Sequence, residues 1–229
     1  MTSEKVTSLE VAKQAGVSQS AVSRVFTPGA SASKKTVERV RKAANDLGYR
    51  PNVLARAMVS GKSRMIGLVV AYLDNLFYPD ALERLSNELK EKGYHVLIFM
   101  ASQTSGNVDE VLQEIMDYQV DGIVLASVAM SSDLAKDCQR AGVPVVLFNR
   151  SQDDDRLSSV GSDNVSGGRK IADFLIAGGH KRISHIAGWE GASTQRDRET
   201  GFLSGLNSAQ IKLFSRDVGN FEIEQAREA

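Results

Sequence analysis

The sequence has 229 residues, enough for two domains, and its 42% hydrophobic and 24% charged content excludes a disordered or collagen-like chain. Basic and acidic residues both number 28, so net charge names no partner, and the single cysteine, Cys138, excludes an intrachain disulfide and suits a reducing cytoplasm. No apolar stretch follows Met1 and none is long enough to cross a bilayer, so neither a secretory leader nor a membrane span is expected.

Charge is nonetheless unevenly placed. Met1 to Arg64 holds 12 Lys and Arg against 4 Asp and Glu, a net of +8, and the remainder holds 16 against 24, a net of −8. A basic head on an acidic body fits a phosphate-binding domain joined to one that is not. Thr7 to Arg24 reads as two short helices joined at Gly16. Leu9, Val11, Ala12 and Ala15 give the first an apolar face at helical spacing, and Thr7 with Glu10 forms a capping box. Gly16 supplies the positive φ of a tight turn, and Val17 plugs the angle between the helices. Ser18 caps the second helix, whose Ala21, Val22 and Val25 face inward. Gln19, Ser20, Ser23 and Arg24 are left pointing outward, as polar groups that can read base edges in a major groove. A helical hairpin used for protein contact is the competing interpretation.

Ser33 opens a third helix over 34–47, with Val37, Val40, Ala44 and Leu47 inward, and Gly48 ends it. Tyr49-Arg-Pro-Asn52 is an extended break, and the piece from Val53 to Gly61 is too short to be a stable helix alone. From Met65 the period changes. Apolar runs at 65–71, 94–101, 122–126, 143–148 and 183–187 have strand length, with amphipathic stretches Asp80–Lys92, Asp109–Tyr118 and Ser132–Ala141 between them. This alternation argues for a parallel sheet with helices on both faces. Ligands in such sheets sit beyond the C-terminal strand ends, which points to Phe77, Tyr78, Ser127, Asn149, Arg150 and Asp163. Asp153 to Arg156 reads as a solvated loop, and His95, His180 and His185 have no metal-ligand spacing. Ser166 to Lys170 lacks P-loop spacing, and no Ser/His/Asp set stands on a nucleophile motif. No metal, cofactor or enzymatic activity is expected.

The run Glu10-Val-Ala-Lys-Gln-Ala-Gly-Val-Ser18, then Val22-Ser-Arg-Val25 and Leu47-Gly-Tyr-Arg-Pro-Asn52, resembles the DNA-binding head of the LacI/GalR family. The likeness continues through Ile66-Gly-Leu-Val-Val70, Gly93-Tyr-His-Val96, Val120-Asp-Gly-Ile-Val124, Gly142-Val-Pro-Val-Val146, Ser162-Asp-Asn164, Gly179-His-Lys-Arg-Ile183 and Arg198 with Gly201-Phe202. The resemblance implies a cytoplasmic, nucleoid-associated transcriptional repressor that binds double-stranded operator DNA as a homodimer. It implies an α head plus an α/β, periplasmic-binding-protein-like body whose cleft takes a small-molecule effector, expected to be a sugar or derivative. The implied domains are a helix-turn-helix head at 1–50, a hinge at 51–64, a first lobe at 65–161 and a second lobe at 162–229.

Carried over by position, Gln19, Ser20 and Arg24 fall on base-reading places, and Thr7, Ser18, Ser33, Thr36 and Asn52 on capping or phosphate-contact places. Ala55 and Met58 fall on the hinge positions that enter the minor groove, with Met58 where family members often carry leucine. Phe26-Thr-Pro-Gly29 departs from the asparagine-containing turn of many members. The family's effector positions map onto Phe77, Tyr78, Ser127, Asn149, Arg150, Asp163, Thr194 and Arg198. Gln225 to Ala229 reads as the opening of a helix, while the family's second lobe runs further, so a truncated regulator with both lobes short of strands is the expectation. A small-molecule binding protein without a DNA role is the alternative that the body alone permits.

Overall fold

The computed structural model describes residues 6–27, 29–51, 61–71, 73, 77–101, 105–152, 154 and 156–229. They fall into two compact units, Met1–Ser63 and Arg64–Ala229.

In the first unit, α1 (Ser8–Ala15), α2 (Gln19–Phe26) and α3 (Lys34–Leu47) are each started by a side-chain cap. Glu10 N–H donates to Thr7 Oγ1 at 3.4 Å, and Thr7 N–H donates to Glu10 Oε2 at 2.7 Å. The bond from Thr7 N–H, with a second from the Thr7 hydroxyl to the same oxygen at 2.9 Å, holds the Glu10 carboxyl below the usual carboxylate range. Ser18 accepts from Ala21 N–H and Ser33 from Thr36 N–H, both at 3.2 Å. Each cap satisfies a donor that the first turn leaves without an intrahelical partner. Gly16 adopts φ 61° between α1 and α2, the left-handed conformation that ends a helix in a tight turn. Arg39 Nη2, from α3, donates to the Gly16 carbonyl at 3.1 Å. Val11, Ala12, Ala15, Val22, Val40, Ala43 and Ala44 form the core. Leu9 departs from the expected inward stripe, being 62% exposed. At the helical period Leu9 lies to the side of the face that Val11, Ala12 and Ala15 share, so it falls at the edge of the core rather than in it.

The second unit holds two parallel sheets. The larger has the order β2-β1-β3-β4-β5, built from β1 (Met65–Val70), β2 (His95–Met100), β3 (Gly122–Ala126), β4 (Val145–Phe148) and β5 (Ser158–Val160). Helices α4 (Phe77–Glu91), α5 (Ser105–Asp117) and α6 (Ser132–Arg140) make the crossovers. Alternate residues of β1 face opposite cores, as the two-residue period of a strand requires. Leu68 and Val70 pack with Tyr78 and Leu82 of α4, whereas Met65 and Val69 pack with Leu112 and Ile115 of α5 and Leu134 of α6. Helices therefore cover both faces. The chain leaves β1 in one direction for β2 and then returns past it to β3, which makes the C-terminal ends of β1 and β3 a topological switch point.

The smaller sheet pairs β6 (Ser184–Ala187) with β7 (Ser215–Val218) in parallel. Beside it lie α7 (Asn164–Ala177) and α8 (Ser193–Ser208), and α9 (Ile223–Glu228) closes the chain. β5 and β7 were not anticipated from apolar runs. Their sequences, Ser-Ser-Val and Ser-Arg-Asp-Val, are polar, and neither strand contains a buried residue. Among the described residues no helix is long and apolar enough to cross a membrane.

Candidate functional site

Two places gather polar side chains that the folding cores do not use. The first is the outer face of α2. Gln19, Ser20, Ser23 and Arg24 are all exposed, on a helix whose other side buries Val22. Gln19 Nε2 donates to Ser8 Oγ at 2.9 Å, and the Ser18 and Ser20 hydroxyls are 3.0 Å apart. The first bond links the first turns of α1 and α2, and the second lies within the start of α2, so the polar face is held by a local frame. Thr7, Ser18 and Ser33 are helix caps, and Thr36 Oγ1 lies 2.8 Å from Ser33 Oγ. Asn52, Ala55 and Met58 lie outside the described residues.

The second place is a cleft of about 370 Å³ beyond the C-terminal ends of β1, β3 and β4. It is lined by Phe77, Tyr78, Ser127, Asn149, Ser162, Thr194, Arg198 and Phe221. That volume suits a ligand of sugar size. Tyr78, 2% exposed, lies deepest. Its hydroxyl donates to Ser127 Oγ at 2.5 Å and accepts from Asn149 Nδ2 at 2.9 Å. Ser127 and Asn149 each leave their strand with positive φ, 64° and 58°. Left-handed backbone at a non-glycine residue is costly, and at two adjacent strand ends it turns both side chains toward one point. Phe77 stacks on Phe148 with centroids 5.8 Å apart and meets Tyr78 edge-on at 5.2 Å, which fixes its half-exposed ring as a wall. Arg198 Nε donates to Asn164 Oδ1 at 2.8 Å, so one edge of its guanidinium is oriented by α7.

Six of the eight residues expected at an effector site thus line one cleft. The other two stand apart from its lining. Asp163 is the N-cap of α7, accepting from Ser166 N–H at 2.9 Å. Arg150 is buried, with Nε donating to the Ser127 carbonyl at 3.2 Å and Nη1 to Thr194 Oγ1 at 3.4 Å. Ser162 and Phe221 were missed. Phe221 follows β7 in left-handed backbone at φ 64°, and its ring fills the space beside Gly188, where a Cβ would lie 2.0 Å away. The rule of strand ends finds Phe221 once β7 is recognised, but the polar β7 hides it.

A larger hollow of about 600 Å³ opens beside α7 and β6, with Asp163 and Ser162 among its lining. Ile171, Ile186 and Phe221 give it an apolar wall that is itself exposed. The smaller cleft, with its converging hydroxyl, amide and guanidinium groups, is the better-built binding site. Among the described residues no cluster of His, Cys, Asp or Glu could hold a metal ion, and Asp154 is taken up by Arg156, whose Nε donates to it at 2.7 Å. His185 is pushed down from its ordinary value mainly by burial, and Glu199 is held low by its hydrogen bond from Arg216. His185 lies in β6 and Glu199 in α8, both outside the cleft lining.

Comparison with known proteins matches residues 63–229 to the periplasmic binding proteins and sugar binding domain of LacI family, and residues 7–52 to the bacterial regulatory proteins, lacI family. The sucrose operon repressor of Streptococcus mutans is 33% identical over 210 residues, covering 91% of this chain and 64% of its own length. The maltose regulon regulatory protein MalI of Escherichia coli is 32% identical over 206 residues, covering 90% of this chain and 60% of its own. The chain therefore spans less than two thirds of the length of these curated relatives. Among solved structures, the lac repressor dimer bound to operator and the anti-inducer ONPF superposes with a TM-score of 0.84 at 24% identity, over 97% of this chain and 68% of that one. A transcriptional regulator CelR–cellobiose complex gives 0.62 at 27% identity, over 96% and 68%.

Proposed function

The chain belongs to the LacI family of bacterial regulatory proteins, and from that membership we propose that it is a sequence-specific transcriptional regulator, acting as a repressor, under the control of a small-molecule effector. In this reading residues 1–50 bind operator DNA in the cytoplasm, 51–64 form the hinge, and 65–161 and 162–229 are the lobes on either side of the effector cleft. The observation that carries it is α2, a capped second helix whose exposed face offers Gln19, Ser20 and Arg24 within a segment of net charge +8. Basic charge supplies affinity for any duplex, and the polar face supplies preference among sequences. Two such heads in a homodimer would read a near-palindromic site, with Ala55 and Met58 of the paired hinges at its centre.

The cleft supports a sugar or sugar derivative as effector. Phe77 and Phe221 offer flat apolar surface, while Ser127, Asn149, Ser162, Thr194 and Arg198 offer hydrogen bonds to hydroxyls. Sucrose, maltose and cellobiose are the first compounds to assay, because relatives carry those names. An effector that prefers one interlobe arrangement would shift the population toward it and so change operator affinity.

Selection from a randomised duplex library, followed by mobility-shift titration at several salt concentrations, tests the reading. A selected duplex should bind more tightly than random DNA, and the advantage should persist when salt weakens both. Arg24→Ala should cost about 1–3 kcal/mol on the selected duplex and relax its base preference. Equal loss on specific and random DNA would reduce Arg24 to a phosphate contact. Failure to select any sequence would leave a small-molecule binding protein.

A further inference from the structure

Arg150 is the one charged side chain among the described residues that is nearly all buried, at 6% exposed. A guanidinium removed from water is costly unless its donors are engaged. Two bonds of Arg150 run to different walls of the cleft: the Ser127 carbonyl ends β3, and Thr194 lies in the first turn of α8. The guanidinium carbon also sits 5.5 Å from the centre of the Trp189 ring, in the loop leading into α8. The next residue repeats the connection, since Ser151 N–H donates to Ser193 Oγ at 3.0 Å. Helix α8 lacks the device that starts the helices of the first unit: its N-cap is Ala192, which makes no side-chain capping bond. Its first turn, Ser193, Thr194 and Gln195, is nevertheless buried. Residues 150 and 151 hold this turn another way, by donating to the Thr194 and Ser193 hydroxyls rather than accepting from its backbone N–H groups as a cap would.

Trp189 is held for this task by Gly191. A Cβ at Gly191 would lie 2.4 Å from Trp189 Cζ2, so the indole folds over backbone that only glycine leaves open.

We propose that Arg150 is a positioning residue and not an effector contact: seated on Trp189, it ties the first turn of α8 to the end of β3 and so sets the width of the cleft from behind. The proposal rests on the cleft being the effector site, as argued above, but it fixes how that site is regulated. A ligand that spreads or draws together Ser127 and Thr194 must work against the Arg150 contacts, so their strength sets the bias between lobe arrangements.

Trp189 is the only tryptophan in the sequence, so its fluorescence reports this contact without a label. In the full chain without ligand or DNA, Arg150→Met should raise the acrylamide quenching constant of Trp189 about twofold as the seat opens. Spin labels at Glu91→Cys and Asn207→Cys, both exposed positions, should show a longer and broader interlobe distance in that variant than in the parent. Arg150→Lys keeps the charge but not the fork, and should fall between the two. Gly191→Ala should displace the indole, raising quenching while the buried charge remains. Far-UV circular dichroism checks the fold of each variant. Should Arg150→Met fail to fold, Gly191→Ala and Arg150→Lys decide by the same criteria. Parent-like quenching and parent-like distances in the folded variants would overturn the proposal. Neither readout involves DNA or effector, so failure of the regulator reading would show itself separately, in the selection and mobility-shift experiment.

Discussion

The two lobes of the second unit share an alternation of strand and helix but reach their interiors by different means. In the first, side chains fill the space: Leu112, Ile115, Leu125 and Leu147 have no exposed surface. In the second, the buried cluster comprises Ala172, Ile183, Phe202 and Leu206, and the helices meet backbone to backbone. A Cβ on Gly168 of α7 would lie 2.0 Å from the Arg198 carbonyl oxygen, and one on Gly201 of α8 would lie 1.9 Å from that of Val165. Ile171, Phe174, Ile186 and Ile223 are exposed in this chain, which spans less than two thirds of the length of its curated relatives. The alternation of elements therefore does not determine how a core is made. Side-chain size at the helix crossing does, because it sets how closely two axes approach.

The largest expected effect tests the side-chain core. Leu112→Ala removes a fully buried leucine, and the transfer loss plus the cavity should cost about 2–5 kcal/mol. Phe174→Ala in the second lobe removes a larger side chain that is 76% exposed, and should stay within about 0.5 kcal/mol. Urea unfolding of both variants measures the difference. Equal destabilisation would mean that Phe174 is covered in solution and that the contrast between the lobes is not real.

The glycine contact makes a finer test, because neighbouring glycines on α7 should give opposite signs. Alanine in a helix interior is favoured over glycine by about 0.5–1 kcal/mol. A Cβ on Gly167 would meet nothing within 4 Å, so Gly167→Ala should gain that amount. Gly168→Ala would press on the Arg198 carbonyl, a backbone atom that cannot swing aside, and forcing the helices apart should cost about 1–3 kcal/mol or more. The clash exceeds the propensity gain, so the net effect is destabilising. Thermal unfolding of the pair decides it, and stabilisation by both would show that the helices cross with room to spare.

The same contrast explains what could be read from the sequence. β1, β3 and β4 were legible because burial on both faces makes them apolar runs, and α1 to α3 because Thr7, Ser18, Ser33, Gly16 and Gly48 mark their ends locally. β5 and β7 were not, because neither buries a residue, so no apolar pattern marks them and each is defined by its partner. The site divided along the same line. Tyr78, Ser127 and Asn149 follow strands that could be recognised, whereas Phe221 follows β7 and was lost with it. Asp163 and Arg150 were placed by position at strand ends and loops, but position does not reveal that one carboxylate caps a helix or that one guanidinium turns behind the cleft.

The smallest expected effect is a difference in acid response. His185 stacks on Phe202 at 5.5 Å, its Nε2 lies 3.3 Å from Gln195 Nε2, and Glu199 and Arg216 are the charges that act on it. Burial lowers its pKa below the ordinary 6.5, so below that pH the unfolded chain binds the proton more readily than the folded one. Stability should therefore fall as the pH drops from 7 through 6.5. Glu199, held below its ordinary 4.5 by the Arg216 hydrogen bond, adds a second loss as the pH falls below 4.5. In the first lobe, the lowered carboxyls of Asp133 and Asp154 respond only below 3.8, so the step near neutrality belongs to the second lobe. The step should be shallow, because the Arg216 side chain of the network is 35% exposed and solvent screens it. Glu199→Gln separates the two losses: it should reduce the one below 4.5 by the Glu199 share and deepen the one near 6.5, because the Glu199 charge is what draws the His185 pKa back up. Thermal midpoints followed by Trp189 fluorescence between pH 7 and 4 measure both. A midpoint that rises on acidification to pH 5, or that falls identically in His185→Gln, would remove the acid-sensitive network from the second lobe.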